Sequence, residues 1–243
     1  MGGLVLALGL GLLLALALAL GWRRPTLPRP PDWQATFSSD EGWQQGGSVQ
    51  ARCDEDLCLL ALPNPAQQGW LVGGPIWRDL EIEVTITPLA GLGSADYGLL
   101  LQRTEPPFTT LLFLIGDDGY VSIWRSQGES TADALRSPTH WAPLHPWQEW
   151  PHVRRGMTAN RLRVRCQEMR CRFFVNDEFT AEVEGEGGKK QVGLFLRTYE
   201  WGGLTVRFQT LRVWDLGGDA DPASAQSAPG EMRMQGTPTC GDH

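Results

Sequence analysis

The sequence predicts an all-β fold, a two-sheet antiparallel jelly-roll sandwich, preceded by an N-terminal hydrophobic helix. Three observations predict it. Leu80, Ile82, Val84 and Ile86 alternate with Glu81, Glu83, Thr85 and Thr87, the period-two pattern of a strand with one face buried. Short apolar runs recur at 98–103, 109–115, 120–125, 191–197 and 204–214, with turn signals such as Gly116-Asp117-Asp118-Gly119 between them. No long amphipathic helix follows the N-terminal run, and many short strands without helices pack as a sandwich or barrel.

In chain order, Gly2 to Gly21 is an unbroken apolar run of bilayer-spanning length. Residues 1–21 are therefore expected to be a signal peptide or a transmembrane anchor, with small residues at Ala17, Ala19 and Gly21 and an interfacial Trp22. No Lys or Arg precedes the run, whereas Arg23, Arg24 and Arg29 follow it, which by charge alone keeps the remainder cytoplasmic. The cysteines argue the other way and are given more weight. Residues 22–32 are a Pro-rich linker, a stiff spacer without a core of its own. Residues 33–215 form the sandwich. Residues 216–243, rich in Gly, Asp, Ala, Pro and Ser, are a disordered C-terminal tail.

Four of the five cysteines form two identical spacings, Cys53-x4-Cys58 and Cys166-x4-Cys171. Val49 and Ala51 share the face of Cys53, and Leu60 and Leu62 continue it after Cys58. Leu162 and Val164 lead into Cys166 in the same way, and Phe173 and Val175 follow Cys171. Four-residue loops would place each pair across a hairpin, where opposed Cα atoms lie within disulfide reach. Local bridges Cys53–Cys58 and Cys166–Cys171 are expected, with a four-cysteine zinc site as the rival. Disulfides imply an extracytoplasmic location, membrane-anchored or secreted. Cys240 is left over, either free or intermolecular. Farther on, Asn176-Asp177 reads as a hairpin turn, residues 130–136 as one helical turn, and Thr210 as a bulge where the core parity of the last strand switches.

Composition narrows the function. The 243 residues carry 21 Lys+Arg against 28 Asp+Glu, a formal net charge of -7. That balance argues against a nucleic-acid partner and against docking on anionic lipid, leaving the N-terminal segment as the route to a membrane. There are 11 Trp but only 3 Tyr, which directs attention to aromatic recognition.

The order Trp77-Arg78-Asp79-Leu80-Glu81-Ile82-Glu83-Val84, Tyr97-Gly98-Leu99-Leu100-Leu101-Gln102-Arg103, Asp118-Gly119-Tyr120-Val121, Asn160-Arg161-Leu162-Arg163-Val164, Phe174-Val175-Asn176-Asp177, Val192-Gly193-Leu194-Phe195 and Val206 to Val213 resembles the concanavalin A-like lectin/glucanase superfamily. More narrowly, it is similar to the bacterial extracytoplasmic branch related to the 3-keto-disaccharide hydrolase domain. Three turns depart from that branch: Asn176-Asp177 for Asn-Gly, Gln209-Thr210 for Asp-Asn, and Asp96-Tyr97-Gly98 for Asn-Ser-Gly. The resemblance implies two packed antiparallel sheets with a concave face, which together with its rim loops often binds carbohydrate in relatives. It specifies fold better than function.

Catalytic motifs are sparse. The Glu-x-Asp-x-x-Glu strand motif of laminarinase-type members is missing, and retaining glycosidases need two close carboxylates. Glu81 and Glu83, and Glu182, Glu184 and Glu186, read as solvated faces. The hairpin tip Asp54-Glu55-Asp56 is a weak calcium candidate. The four His have no metal spacing, and neither a nucleophile elbow nor a phosphate loop occurs, so no metal site and no cofactor other than that calcium are expected. The aromatic segments are more informative. Residues 139–150 hold Trp141, Trp147 and Trp150, and the loop 197–203 holds Tyr199 and Trp201. Sugars stack apolar CH faces on such rings. The expected ligand contacts are Trp141, Trp147, Tyr199, Trp201 and Arg103, an inward Arg that needs a partner; the competing expectation is that the three Trp of 139–150 roof the core. Trp124 and Trp214 are expected in the core. An extracytoplasmic domain that binds carbohydrate or a cell-envelope ligand through loop aromatics, leaning non-catalytic, is the first expectation. A glycoside hydrolase with two carboxylates converging in a cleft is the second, and a structural or protein-interaction domain the third.

Overall fold

A computed structural model describes residues 29–217, apart from 39–40, 94, 130, 137–140 and 186. The expected N-terminal helix, most of the C-terminal tail, His140 and Cys240 lie outside the described residues. Among the described residues no helix is long and apolar enough to cross a membrane. The chain divides into two units, Met1–Pro31 and Asp32–His243, and every described strand belongs to the second.

That unit is all-β. Its elements are β1 (Trp33–Gln34), β2 (Gln44–Gly47), β3 (Gln50–Asp54), β4 (Leu57–Leu62), β5 (Gln68–Trp77), β6 (Leu80–Ala90), β7 (Ala95–Arg103), β8 (Phe108–Gly116), β9 (Tyr120–Gly128), α1 (Thr131–Arg136), β10 (Trp141–Glu149), β11 (Asn160–Gln167), β12 (Arg170–Val175), β13 (Glu178–Glu184), β14 (Lys190–Thr198) and β15 (Leu204–Asp215). One sheet runs β13-β12-β11-β6-β15-β4-β3, with β1 also pairing with β15. The other runs β10-β9-β8-β7-β14-β5-β2. All pairings are antiparallel.

The alternation read in 80–87 becomes a buried face. Leu80, Ile82, Val84 and Ile86 of β6 join Leu162 and Val164 of β11 and Phe173 and Val175 of β12 in one core cluster. The facing sheet contributes Tyr97, Leu99 and Leu101 of β7, Leu111, Phe113 and Ile115 of β8, and Val192, Leu194 and Leu196 of β14. Phe113 meets Phe173 edge-on across the sheets, with ring centroids 5.0 Å apart. In β15 the core residues change parity between Phe208 and Leu211. The register shift lies between Gln209 and Arg212, and Thr210 takes a φ of 52°, so the bulge expected at Thr210 is present.

Both cysteine pairs are disulfides, which sets aside the zinc rival. Cys53 opposes Cys58 and Cys166 opposes Cys171 in register, with Cα atoms 4.0 and 4.1 Å apart. That is near the close spacing of a non-hydrogen-bonded antiparallel pair. The connecting loops are shorter than the four residues expected. Asp54 pairs with Leu57 and Gln167 with Arg170, leaving only Glu55-Asp56 and Glu168-Met169 as turns. The first of each two is left-handed, with φ of 48° at Glu55 and 55° at Glu168. Asn176 and Asp177 are both left-handed, with φ of 52° and 73°, as a two-residue hairpin twisted with its strands requires.

The outer face of the eight-stranded sheet explains the acidic strand residues. Glu81 pairs with Arg163 at 3.0 Å and Arg165 at 3.8 Å, and Glu83 with Arg161 at 3.8 Å. Glu182 pairs with Arg172 at 2.6 Å, whose hydrogen bond holds the Glu182 carboxyl below its usual range. These cross-strand pairs form a charge ladder and present no reacting pair of free carboxylates.

Candidate functional site

The other face of the seven-stranded sheet, turned away from the inter-sheet core, carries a second apolar cluster. Trp70 and Val72 of β5, Leu100 of β7, Leu112 and Leu114 of β8, and Phe195 of β14 form its floor, covered by Leu135 of α1 and Trp141 of β10. Hydrogen bonds strap α1 down. Gln68 Nε2 donates to the Leu135 carbonyl, and the Ser126 hydroxyl and Trp141 Nε1 both donate to the Ala134 carbonyl, the last at 3.2 Å. Gly128 permits this approach, since a Cβ there would fall 2.4 Å from the Ala134 nitrogen.

Beside this roof lies a groove of about 560 Å³, within the range of small-molecule sites. One wall is Trp124, Trp141 and Trp147, from β9 and β10. Asp96 of β7, Arg197 of β14 and Tyr199 just after β14 line it too. Asp117, Asp118 and Tyr120, at the β8–β9 hairpin, line it as well. Tyr120 and Tyr199 are 39% and 42% exposed, so the groove opens to solvent.

Register builds its charged centre. Asp96 directly opposes Arg197 on one side and Gly116 on the other. Asp96 is only 1% exposed. Its carboxylate accepts from Arg197 Nε at 3.2 and 3.1 Å and from an Arg197 terminal nitrogen. It also accepts from the Tyr199 hydroxyl at 2.6 Å. The guanidinium in turn lies 4.5 Å from the Trp141 ring centre and 4.8 Å from that of Tyr199. Burial pushes the Asp96 carboxyl above its usual range; the charge and hydrogen bond of Arg197 and the hydrogen bond from Tyr199 oppose this, and Asp118 adds to it. Burial and then the charge of Asp96 push the Tyr199 hydroxyl upward, so it stays a protonated donor. Asp117 accepts from Gly93 N–H at 2.9 Å and Asp118 from Tyr120 N–H at 3.2 Å.

Of the five contacts expected from sequence, the structure brings three together: Trp141, Trp147 and Tyr199. Trp141 is 9% exposed, with its N–H engaged and the Arg197 guanidinium over its ring, so it is as much roof as contact. Trp201 is exposed and stands outside the lining. Arg103 stands outside the lining of this groove. It ends β7 at the end opposite Asp96, and its parity is that of Leu99 and Leu101, the core side of the strand. Trp141 and Trp147 are also not loop residues. They lie on β10, an edge strand whose Pro143 and Pro146 accompany register shifts. Trp150 packs against the inter-sheet core, while Trp124, expected there, lines the groove.

Asp96, Arg197, Asp117, Asp118 and Tyr120 were not singled out as contacts from the sequence. One signal pointed to Asp96: a carboxylate leading into an apolar strand needs a partner. Its partner is 101 positions away and becomes identifiable only once the register is known. The groove does hold more than one carboxylate in its lining, the feature expected of a hydrolase cleft. Among the described residues no group of three or more His, Cys, Asp or Glu is placed to hold a metal, the Asp54-Glu55-Asp56 tip included.

No family model matches the chain, and no curated protein matches it. Solved structures do. The carbohydrate binding module CBM66 from Bacillus subtilis is 12% identical, over 72% of this chain and 96% of its own, with a TM-score of 0.50. A Bacteroides ovatus mixed-linkage glucan GH16 protein in complex with G4G4G3G product is 9% identical, over 74% and 99%, with a TM-score of 0.54. The Emp46p carbohydrate recognition domain, in its metal-free form, is 15% identical, over 78% and 95%, with a TM-score of 0.51. At these identities the likeness shows the fold alone, a two-sheet antiparallel sandwich of the jelly-roll kind.

Proposed function

We propose that residues 33–215 are an extracytoplasmic, non-catalytic domain that binds carbohydrate or a carbohydrate-bearing cell-envelope ligand in the aromatic groove. Residues 1–21 serve as its leader or membrane anchor, 22–32 as a spacer and 216–243 as a tail. The observation that carries the reading is the groove itself, an open pocket lined by tryptophan and tyrosine rings beside an ordered Asp96–Arg197–Tyr199 network. Trp124, Trp147 and the exposed face of Tyr199 offer surfaces for the CH faces of a sugar, and the carboxylates of Asp117 and Asp118 accept its hydroxyls. Arg197 holds Tyr199 and Trp141 in place more than it serves the ligand, because its charge is already committed to Asp96. Three structural neighbours named for carbohydrate binding or a bound glucan support this ligand class. Two disulfides support export.

A second reading, a glycoside hydrolase of the 3-keto-disaccharide hydrolase type, is favoured by Asp96, Asp117 and Asp118 lining one groove. Against it, each of the three already accepts a hydrogen bond within the protein, and Asp96 is ion-paired. One experiment separates the two. Calorimetric titration of the full chain with a panel of neutral oligosaccharides is expected to give a saturable binding isotherm without product formation. Trp147→Ala is expected to weaken that binding about 10- to 100-fold, the usual effect of truncating an aromatic anchor. Sustained heat with released shorter sugars would establish the hydrolase instead, and binding indifferent to Trp147→Ala would place the ligand elsewhere.

A further inference from the structure

The groove's lining is unevenly charged. It holds three carboxylates, Asp96, Asp117 and Asp118, and among the described residues Arg197 is its sole cation. Arg197 is spent on Asp96 through a multiply bonded ion pair. Asp117 and Asp118 therefore remain as net negative charge at the hairpin end. Among the described residues each accepts only a backbone N–H, which orients the carboxylate without neutralising it. At this hairpin Arg155 packs over Gly119 and is ion-paired with Glu149, so that pair contributes no net charge. The field of the two carboxylates reaches into the sheet: after burial, their charges are the causes that push the hydroxyl of Tyr97 upward.

We propose that this groove selects cationic amino sugars over neutral sugars and excludes anionic ones such as uronic acids. The aromatic wall of Trp124 and Trp147 supplies stacking that any pyranose satisfies, so the rings fix that a sugar binds. The uncompensated carboxylates decide which sugar, because an ammonium group gains Coulomb energy beside them and a carboxylate or sulfate loses it. This inference rests on the carbohydrate-binding reading above and adds the ligand class to it.

The test titrates the full chain with three hexasaccharides: a β-linked glucosamine oligomer at a pH where its amines are protonated, β-linked cellohexaose, and an α-linked oligogalacturonate. The glucosamine oligomer is expected to bind on the order of tenfold more tightly than cellohexaose, with the advantage shrinking as salt is added. The oligogalacturonate is expected not to bind measurably. In Asp118→Asn and Asp117→Asn, which keep an oxygen to accept Tyr120 and Gly93 N–H, the ratio of the two affinities is expected to fall toward one. Equal affinities in the parent protein, tighter binding of the oligogalacturonate, or an unchanged ratio in both variants would overturn the charge selection while leaving sugar binding intact. Failure of all three oligomers to bind would overturn the sugar-binding reading and this inference together.

Discussion

Arg197→Met lowers folding stability by about 3–5 kcal/mol at neutral pH, and the loss shrinks as the solution is acidified. Arg197 directly opposes Asp96, a carboxylate only 1% exposed, and makes the ion pair that compensates it. Methionine approximates the length of the arginine stem but leaves the buried charge uncompensated. Burial already holds the Asp96 carboxyl above its usual value of 3.8. The folded protein therefore keeps that proton to a higher pH than the unfolded chain does. Stability from this group is full below the ordinary carboxylate value and declines as pH rises through the folded one. Arg197 limits the decline. Without it the carboxyl moves further up and the decline extends toward neutrality, whereas in acid Asp96 is protonated in both proteins and the difference narrows. Urea denaturation of both proteins at acidic and neutral pH measures this. A loss independent of pH would mean that Asp96 is not charged where the pair forms. Tyr199, whose hydroxyl donates to the same carboxylate, would lose its fixed position along with Arg197, so sugar binding is expected to weaken in the same variant.

Phe113→Ala lowers stability by about 3–5 kcal/mol as well, for a different reason. Phe113 is 1% exposed on the inner face of β8 and meets Phe173 of β12 edge-on from the facing sheet. Removing the ring leaves a cavity between two sheets that backbone hydrogen bonds hold flat, so neighbouring side chains cannot collapse into it without moving a strand. Against a typical domain stability of about 5–15 kcal/mol this is a large share. Chemical denaturation is the measurement. A loss below about 1 kcal/mol would mean that the sheets slide to close the gap and that their packing is less specific than the register implies.

Local physics was legible before the fold was known. The period-two pattern of β6, the left-handed pair Asn176-Asp177 and the parity switch at Thr210 each involve residues within one strand or one turn, and each is found where expected. The disulfides were legible for the same reason, since cysteines five apart in a hairpin are neighbours whatever the rest of the chain does. Among the strands not read as such, β5 and β10 have compositions that contradict strand propensity. β5 contains Gly69, Gly73, Gly74 and Pro75, and β10 contains Pro143 and Pro146. The first strand needs its glycines because large rings lie against it: a Cβ at Gly73 would meet Trp43 at 2.7 Å. The second is an edge strand, where a missing N–H leaves no ladder bond unmade.

The site was half legible. Aromatic enrichment in 139–150 and 197–203 pointed to Trp141, Trp147 and Tyr199, which the fold does bring to one groove. The polar half depends on register between strands far apart in sequence. Asp96 and Arg197 are adjacent only because β7 and β14 pair, and the same pairing sets Arg103 opposite Lys190 at the far end. Arg103 was read as the charged residue needing a partner, but the rule that selected it applies with more force to Asp96, the more deeply buried of the two.

The proposed function places sugar in the groove beside Trp124, Trp147 and Tyr199. The most direct measurement is a two-dimensional 1H–15N spectrum of the full chain, following the tryptophan indole signals as a binding oligosaccharide is added. The signals of Trp147 and Trp124 are expected to move in saturable fashion while those of Trp33, Trp43 and Trp77, outside the groove lining, stay in place. Shifts confined to Trp33, Trp43 or Trp77, with Trp124 and Trp147 unmoved at saturation, would contradict it.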